Sequence, residues 1–359
     1  MHDYIRQVLV RQELATMISS PHTMLTVGKL PHSLLKRLLS KVEISDSRVL
    51  LGPQVGEDAA LIDMGDTVLV AKTDPITFAT DLIGWYAVQV NANDVACMGA
   101  RPRWFLATIL LPEESPEKLA EHIFDQLIGA CRELDISLVG GHSEVTFDLR
   151  HPIVVGQILG EVKRSNVVLT SGAQLDDVLI LTKTIALEGT ALLAREAAEH
   201  LKSSGMQPNL IEQASNLLFN PGISIVPEAL TASENFNIHS MHDPTEGGIA
   251  TGLHEIATAS GLGLEVSLDL LPILPETQIV CDILGLNPLG LLGSGSLILT
   301  LAPEEAPALI NTLKRVGINA TTIGRMAKPS EGATLVTSNG SIPLPQFPQD
   351  EVARYLTES

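Results

Sequence analysis

The chain has 359 residues, too many for one small domain, and its 42 acidic against 23 basic residues give a formal net charge of -19. That balance excludes broad electrostatic binding to nucleic acid or to an anionic membrane, both of which need clustered Lys and Arg, and any phosphate ligand must be neutralised locally. Cys97, Cys131 and Cys281 are widely spaced, form no CxxC pair and are odd in number, so neither a disulfide framework nor a zinc knuckle is indicated, and a cytoplasmic setting fits.

Residues 1–27 read as an N-terminal helical extension, a docking or capping helix in which Arg6, Arg11 and Glu13 interrupt any signal-like core. No run approaches the ~18 to 20 apolar residues that span a bilayer, so no membrane insertion is expected. A first domain is read over 28–168. Leu30, Leu34, Leu35, Leu38, Leu39 and Val42 form one helical stripe, and Val49 to Leu51 and Thr67 to Ala71 read as strands. A helix runs from about Leu82 to Met98 and stops at Gly99; Trp104 to Leu111 is a buried strand, Pro116 to Leu134 an amphipathic helix, and Ile136 to Val139 and Ile153 to Val162 further strands. The polar stretch Lys163 to Asp177 is the linker candidate.

A second domain, 169–345, alternates in the same way. Strands are expected at Val178 to Lys183, Leu264 to Leu268 and Leu297 to Leu301, with short ones near Thr321 and Leu335; helices are expected near Gly189 to Leu201, Leu210 to Phe219, Glu246 to Ser260 and Glu305 to Val316. A Pro-rich stretch leads into a tail, 346–359. No fixed-period repeat is visible, and the class expected is α/β.

Four segments place an acid where an apolar run stops: Gly56-Glu57-Asp58-Ala59-Ala60, Lys72-Thr73-Asp74-Pro75, Asn91-Ala92-Asn93-Asp94 and Gly140-Gly141-His142-Ser143-Glu144. In a strand-turn-helix layout strand ends gather at one sheet edge, so Asp58, Asp74 and Glu144 are expected to converge, joined from a helix by Asp94. Asn91 and Asp94, three apart, share a helix face. Such hard oxygen ligands around a phosphate suit Mg²⁺, with Lys72 balancing the remaining phosphate charge. The plain alternative is that these acids are turn formers and helix caps, as Asp81 is read to be.

Taken in order, GPQVGEDAALID at Gly52 to Asp63, the block from Ala71 to Pro112, GGHSEV at Gly140 to Val145 and HDPTEGGIA at His242 to Ala250 resemble the HypE-like branch of the AIR synthase-related (PurM-like) superfamily. The resemblance implies a two-domain PurM-like fold whose N-terminal sheet forms a dimer barrel beside a C-terminal α/β domain, with ATP at or near the interface of a homodimer. It implies Asp58, Asp74 and Asp94 as Mg²⁺ and phosphate ligands. Lys72, Thr73, Asn91, Gly140, Gly141, His142 and Glu144 would line the nucleotide site, with Lys72, His142 and Glu144 catalytic. The shared chemistry implied is phosphoryl transfer from ATP to a carbonyl, thiocarbamate or similar oxygen, which converts a poor leaving group into a good one.

The chain departs from that branch at three places. No cysteine lies beyond Cys281, where the branch carries a cysteine-ended tail, so self-modification has no acceptor atom. Glu246 stands where arginine is usual, and Gly293-Ser294-Gly295-Ser296 replaces an Asn-Glu-Gly-Lys stretch. The Gly293-Ser294-Gly295 turn is read either as an anion-approaching backbone or as a plain tight turn. His239 and His242 read as ordinary partly buried histidines, and Cys97 as a core residue. An enzyme acting on a small-molecule or protein acceptor is expected; an idle nucleotide-binding scaffold and true hydrogenase maturation are the alternatives.

Overall fold

A helix with no exposed polar face has to be buried on every side, and Ile83–Cys97, apolar apart from Gln89, Asn91, Asn93 and Asp94, is buried in that way: of its residues only Val90 escapes full burial. In the computed structural model, which describes residues 30–54, 56–77 and 81–358, this helix is the shaft around which two α/β halves are built. The N-terminal extension expected at 1–27 lies outside the described residues.

The first half runs α1 (His32–Leu39), β1 (Val49–Leu51), β2 (Ala60–Asp63), β3 (Thr67–Ile76), α2 (Ile83–Cys97), β4 (Arg101–Leu111), α3 (Glu117–Glu133), β5 (Ser137–Val145) and β6 (Ile153–Lys163). Its six strands are ordered β1-β2-β3-β6-β4-β5, antiparallel except for the parallel pair β4 and β5. Period-two alternation sends Val68, Val70, Phe105, Ile109, Val154 and Ile158 to the face covered by α2 and α3. Trp104, Leu106, Thr108 and Leu110 point the other way and are only partly covered.

The second half runs β7 (Val178–Thr182), α4 (Leu187–Glu196), α5 (Ala198–Ser203), α6 (Pro208–Ser215), α7 (Val226–Asn235), β8 (Ser240–His242), α8 (Gly248–Ser260), β9 (Gly263–Ser267), α9 (Pro275–Leu284), β10 (Ile298–Leu301), α10 (Ala306–Arg315), β11 (Ala320–Ala327), β12 (Ala333–Thr337), β13 (Gly340–Pro343) and α11 (Glu351–Glu358). Its sheet is ordered β13-β12-β9-β11-β7-β10-β8. The fold is thus of the two-domain mixed α/β class expected, although both sheets are mainly antiparallel.

Two strands are longer than the sequence suggested. β3 continues through Lys72–Pro75 because residues 155–158 of β6, some eighty residues away, extend its ladder. β5 continues through Gly140–Glu144 for the same reason, paired to β4. Three of the four acid-bearing segments are therefore inside regular elements, and only that around Asp58 is a turn. β5 carries a bulge at Val139, the residue skipped where the register shifts opposite Phe105 and Leu106, and Gly140 and Gly141 follow it in regular pairing. A side chain on Gly141, whose φ is +148°, would collide with the carbonyl of Ala107.

α2 joins the halves directly. Asn93 donates to the Ile223 carbonyl at 2.8 Å and accepts from the Ile225 amide at 2.9 Å. Its start is capped by Gln126, which accepts from the Gly84 amide at 2.9 Å. Asp81 is not the cap expected there; its carboxylate is paired with Arg195 of α4.

Candidate active site

On β3 the residues that follow Val68 and Val70 on the helix-facing side are Lys72 and Asp74. α2 presents Asn91 and Asp94 to that side, so the four meet without any turn. The Lys72 ammonium lies 3.0 Å from Asp94 and 3.9 Å from Asp74. Asn91 donates to the Ala87 carbonyl at 2.8 Å and to the Asp74 carbonyl at 3.3 Å, and it packs so tightly on Gly156 that no side chain fits there. Burial favours the neutral form of Lys72, but Asp94, Asp74 and Asp58 outweigh it and hold the ammonium charged. Burial pushes the Asp94 carboxyl up, Lys72 opposes this, and Asp243, Asp74 and Asp58 add to it. One lysine is outnumbered by carboxylates.

Asp58 reaches the same junction from its turn, which is docked on the second half. Glu57 accepts from the amides of Thr170 and Ser171 at 3.1 and 3.2 Å, and the Thr170 hydroxyl donates to Asp58 at 3.3 Å. His242, 4% exposed, places Nδ1 3.0 Å from Asp58 and Nε2 2.9 Å from Glu255. Both partners are carboxylates, so both ring nitrogens donate and the ring is an imidazolium. Burial favours the neutral ring, yet Asp58 and Glu255 overcome it and raise its pKa well above the usual value.

His242 is therefore a structural cation under Asp58, a role the H-x-x-H spacing did not disclose. His239, the residue before β8, pairs instead with Asp177 at 2.8 Å. Asp243 was missed as well. Its carboxylate accepts from the Cys97 thiol at 3.3 Å, and ligand atoms of Asp58, Cys97 and Asp243 lie within 4.8 Å of one another. Cys97 is a core residue whose thiol burial pushes well up.

Beside this cluster a solvent-open cleft with a volume of about 100 Å³ lies between the halves. Asp74 and Tyr86 line it from the first half, Glu188, Glu246 and Ser294 from the second, and Asp350 from the segment leading into α11. Glu188, buried and bonded to Ser294, is pushed up to about 8 by burial first and then by Glu246, Asp350 and Asp243. Asp350 accepts from the Gly247 amide at 2.7 Å, which fixes the α11 segment as a wall. The Gly293-Ser294-Gly295 turn thus spends its hydroxyl on a carboxylate and packs against Pro244, as a tight turn does.

The remaining sequence candidates lie elsewhere within one chain. Register pairs His142 with Thr108, and Glu144 with Leu110, which puts both on the opposite sheet face from Asp74. Three strand spacings, about 14 Å, separate β5 from β3. His142 and Glu144 are exposed and paired to each other at 3.1 Å. Thr73 also faces outward, donating to the Gly156 carbonyl at 2.8 Å. Lys72, Asp58, Asp74, Asn91 and Asp94 are brought together; Thr73, Gly140, Gly141, His142 and Glu144 are not part of that group.

Two α/β halves that gather carboxylates and a lysine at their junction define a class of protein whose site suits a hard divalent cation. Residues 56–162 match the model of the AIR synthase related protein N-terminal domain, and 174–336 that of its C-terminal domain. A hydrogenase expression/formation protein of Methanocaldococcus jannaschii is 30% identical over 322 residues, 87% of this chain and 92% of the relative. The carbamoyl dehydratase HypE of Cupriavidus necator is 27% identical over 273 residues, 73% of each chain. A crystal structure of hydrogenase maturation protein HypE in complex with ATP has a TM-score of 0.65 at 24% identity, covering 84% of this chain and 92% of that one, a likeness of fold. The chain belongs to the AIR synthase related family, as a HypE-like member.

Proposed function

We propose that this chain is an ATP- and Mg²⁺-dependent enzyme that phosphorylates a carbonyl, thiocarbamate or similar oxygen on a small molecule or a partner protein. The observation that carries the reading is the convergence of Asp58, Asp74 and Asp94 around Lys72 at the junction of the halves. ATP is the nucleotide bound in the HypE crystal structure of the same fold, and carbamoyl dehydratase is the activity named for the C. necator relative.

The donor set fits a magnesium ion. Among the described residues, Asp243 Oδ2 and Asn91 Oδ1 are buried with no hydrogen-bond partner, a costly state that a cation and its water would relieve. Asp58, Asp74 and Asp94 would hold the ion, which when bound offsets charge on the phosphate oxygens. Lys72 supplies a fixed positive charge to the transferring group, and His242 keeps Asp58 ionised and aimed.

We further read the enzyme as a cytoplasmic homodimer whose outer sheet faces pair. That face carries partly exposed Leu106 and Leu110 and exposed Val139 (54%), an apolar area that a second copy would cover. Pairing would let Thr73, His142 and Glu144 of each copy approach the other's nucleotide. No helix among the described residues is long and apolar enough to cross a membrane.

Turnover tests the reading. Purified protein with Mg²⁺ is expected to release ADP when offered amide, urea or thiocarbamate acceptors. Nucleotide binding without ADP release from any acceptor would favour an idle scaffold, and no nucleotide binding would remove the reading altogether.

A further inference from the structure

Where the last residue of α2 meets the chain leaving β8, three short side chains of different chemistry converge. Ligand atoms of Asp58, Cys97 and Asp243 lie within 4.8 Å of one another. Asp243, 2% exposed, accepts from the Cys97 thiol at 3.3 Å through Oδ1, while its Oδ2 is buried and, among the described residues, has no hydrogen-bond partner. Cys97 is wholly buried, forms no disulfide and takes no part in the magnesium set of Asp58, Asp74 and Asp94. We propose that Asp58, Cys97 and Asp243 form a second metal site, overlapping the first, that takes a thiophilic divalent ion of the zinc type.

The donors decide which ion. Mg²⁺ takes oxygen ligands in a strict octahedron and gains nothing from sulfur, whereas Zn²⁺ accepts thiolate and carboxylate together, and three protein ligands with a fourth position open make a complete zinc set. A Zn–S bond of about 2.3 Å and a Zn–O bond of about 2.1 Å let two ligands of one ion stand up to about 4.4 Å apart, so the three groups need only small adjustments to share one. Asp58 is already aimed, by His242 at 3.0 Å and by the Thr170 hydroxyl at 3.3 Å, and such outer hydrogen bonds are what orient a ligating carboxylate. The orphaned Asp243 Oδ2 gains the partner that it lacks. Binding replaces the Cys97 S–H bond by a sulfur–metal bond and releases that proton to solvent. Because Asp58 belongs to both sets, an ion held by Cys97 takes one carboxylate from the proposed magnesium site; this consequence rests on the reading of Asp58 as a magnesium ligand, whereas zinc binding itself does not.

Absorption titration with Co²⁺ tests the site on the full chain carrying Cys131→Ala and Cys281→Ala, which leaves Cys97 as its one thiol. A sulfur-to-cobalt charge-transfer band in the near ultraviolet is expected, saturating in equal stoichiometry with the chain. Calorimetry with Zn²⁺ in two buffers of different protonation heat should show the released proton. Cys97→Ser on that background should abolish the band and weaken Zn²⁺ at least about a hundredfold, since losing even an outer partner costs about 10–100-fold. Asp243→Asn should weaken Zn²⁺ while keeping the band, with circular dichroism confirming the fold of each variant. Co²⁺ that fails to bind or binds without the band, or a Zn²⁺ affinity unchanged by Cys97→Ser, would overturn the proposal. Excess Mg²⁺ should weaken Zn²⁺ binding by simple competition; a thiolate band with no effect of Mg²⁺ would support the zinc site and remove Asp58 from the magnesium set, which separates the two readings.

Discussion

Neighbouring residues of β3 have opposite fates. Lys72 and Asp74 face α2 and join a packed cluster in which Lys72 pairs with Asp94 and Asp74 while Asp58 pairs across the junction with His242, whereas Thr73 points with His142 and Glu144 to a face that this chain leaves partly open. The inner set is positioned by burial: α2 cannot shift without breaking the two Asn93 bonds to the second half. The outer set has only its strand to hold it. A charge inside a packed junction is placed by its own chain, while one on an edge strand needs a partner surface to become a site.

That contrast can be tested from its strongest side. Asp94→Asn keeps the volume but removes the charge, and ATP·Mg²⁺ affinity should fall roughly a hundredfold, the ~3 kcal/mol of a buried charge-assisted contact. Equilibrium binding checks it, with circular dichroism to show an intact fold; unchanged affinity would take Asp94 out of the site. On the outer face, Leu110→Asp should convert a sedimenting dimer into single chains and reduce nucleotide affinity about tenfold if β5 acts across an interface. Should the unmodified chain already sediment alone, His142 and Glu144 have no route to the cluster.

A third test concerns pH. Glu188 has a folded pKa of about 8 against 4.5 unfolded, so between those values the folded state holds the extra proton. Its contribution to stability is fully present below about pH 4.5 and is lost as pH rises towards 8, at no more than about 1.4 kcal/mol per unit. Melting temperature should therefore decline from pH 5 to 8, and Glu188→Gln should flatten the decline. A parallel slope in the variant would mean that other groups set it.

Much of the inner set was legible. The three-residue spacing of Asn91 and Asp94 fixed their common face, and the alternation Val68, Val70, Lys72, Asp74 would have shown that β3 carries its apolar face straight into its charges. What hid this was the ladder to β6, which depends on residues eighty positions away. Long-range pairing also concealed the bulge at Val139 and the continuation of β5 through Gly140-Gly141, where the apolar run stops when β4 is not in view. His242 was visible as a residue but not as a bridge, since Asp58 and Glu255 are brought to it from a distant turn and from α8. Helices α7, α9 and α11 were not anticipated; α7 and α9 have Pro in their first turn, a signal that was available. The cleft acids Glu188 and Asp350 gave no local sign, because crowding of like charges exists only after folding.

The Asn93 clamp gives α2 a mechanical part as well. One face of the helix sets the carboxylates, and the next side chain grips the backbone at 223 and 225, so the helix works like an axle keyed into both wheels. Turning one half about it must twist the other, and the separation between the acid cluster and the walls of the cleft is thereby kept at a set gauge.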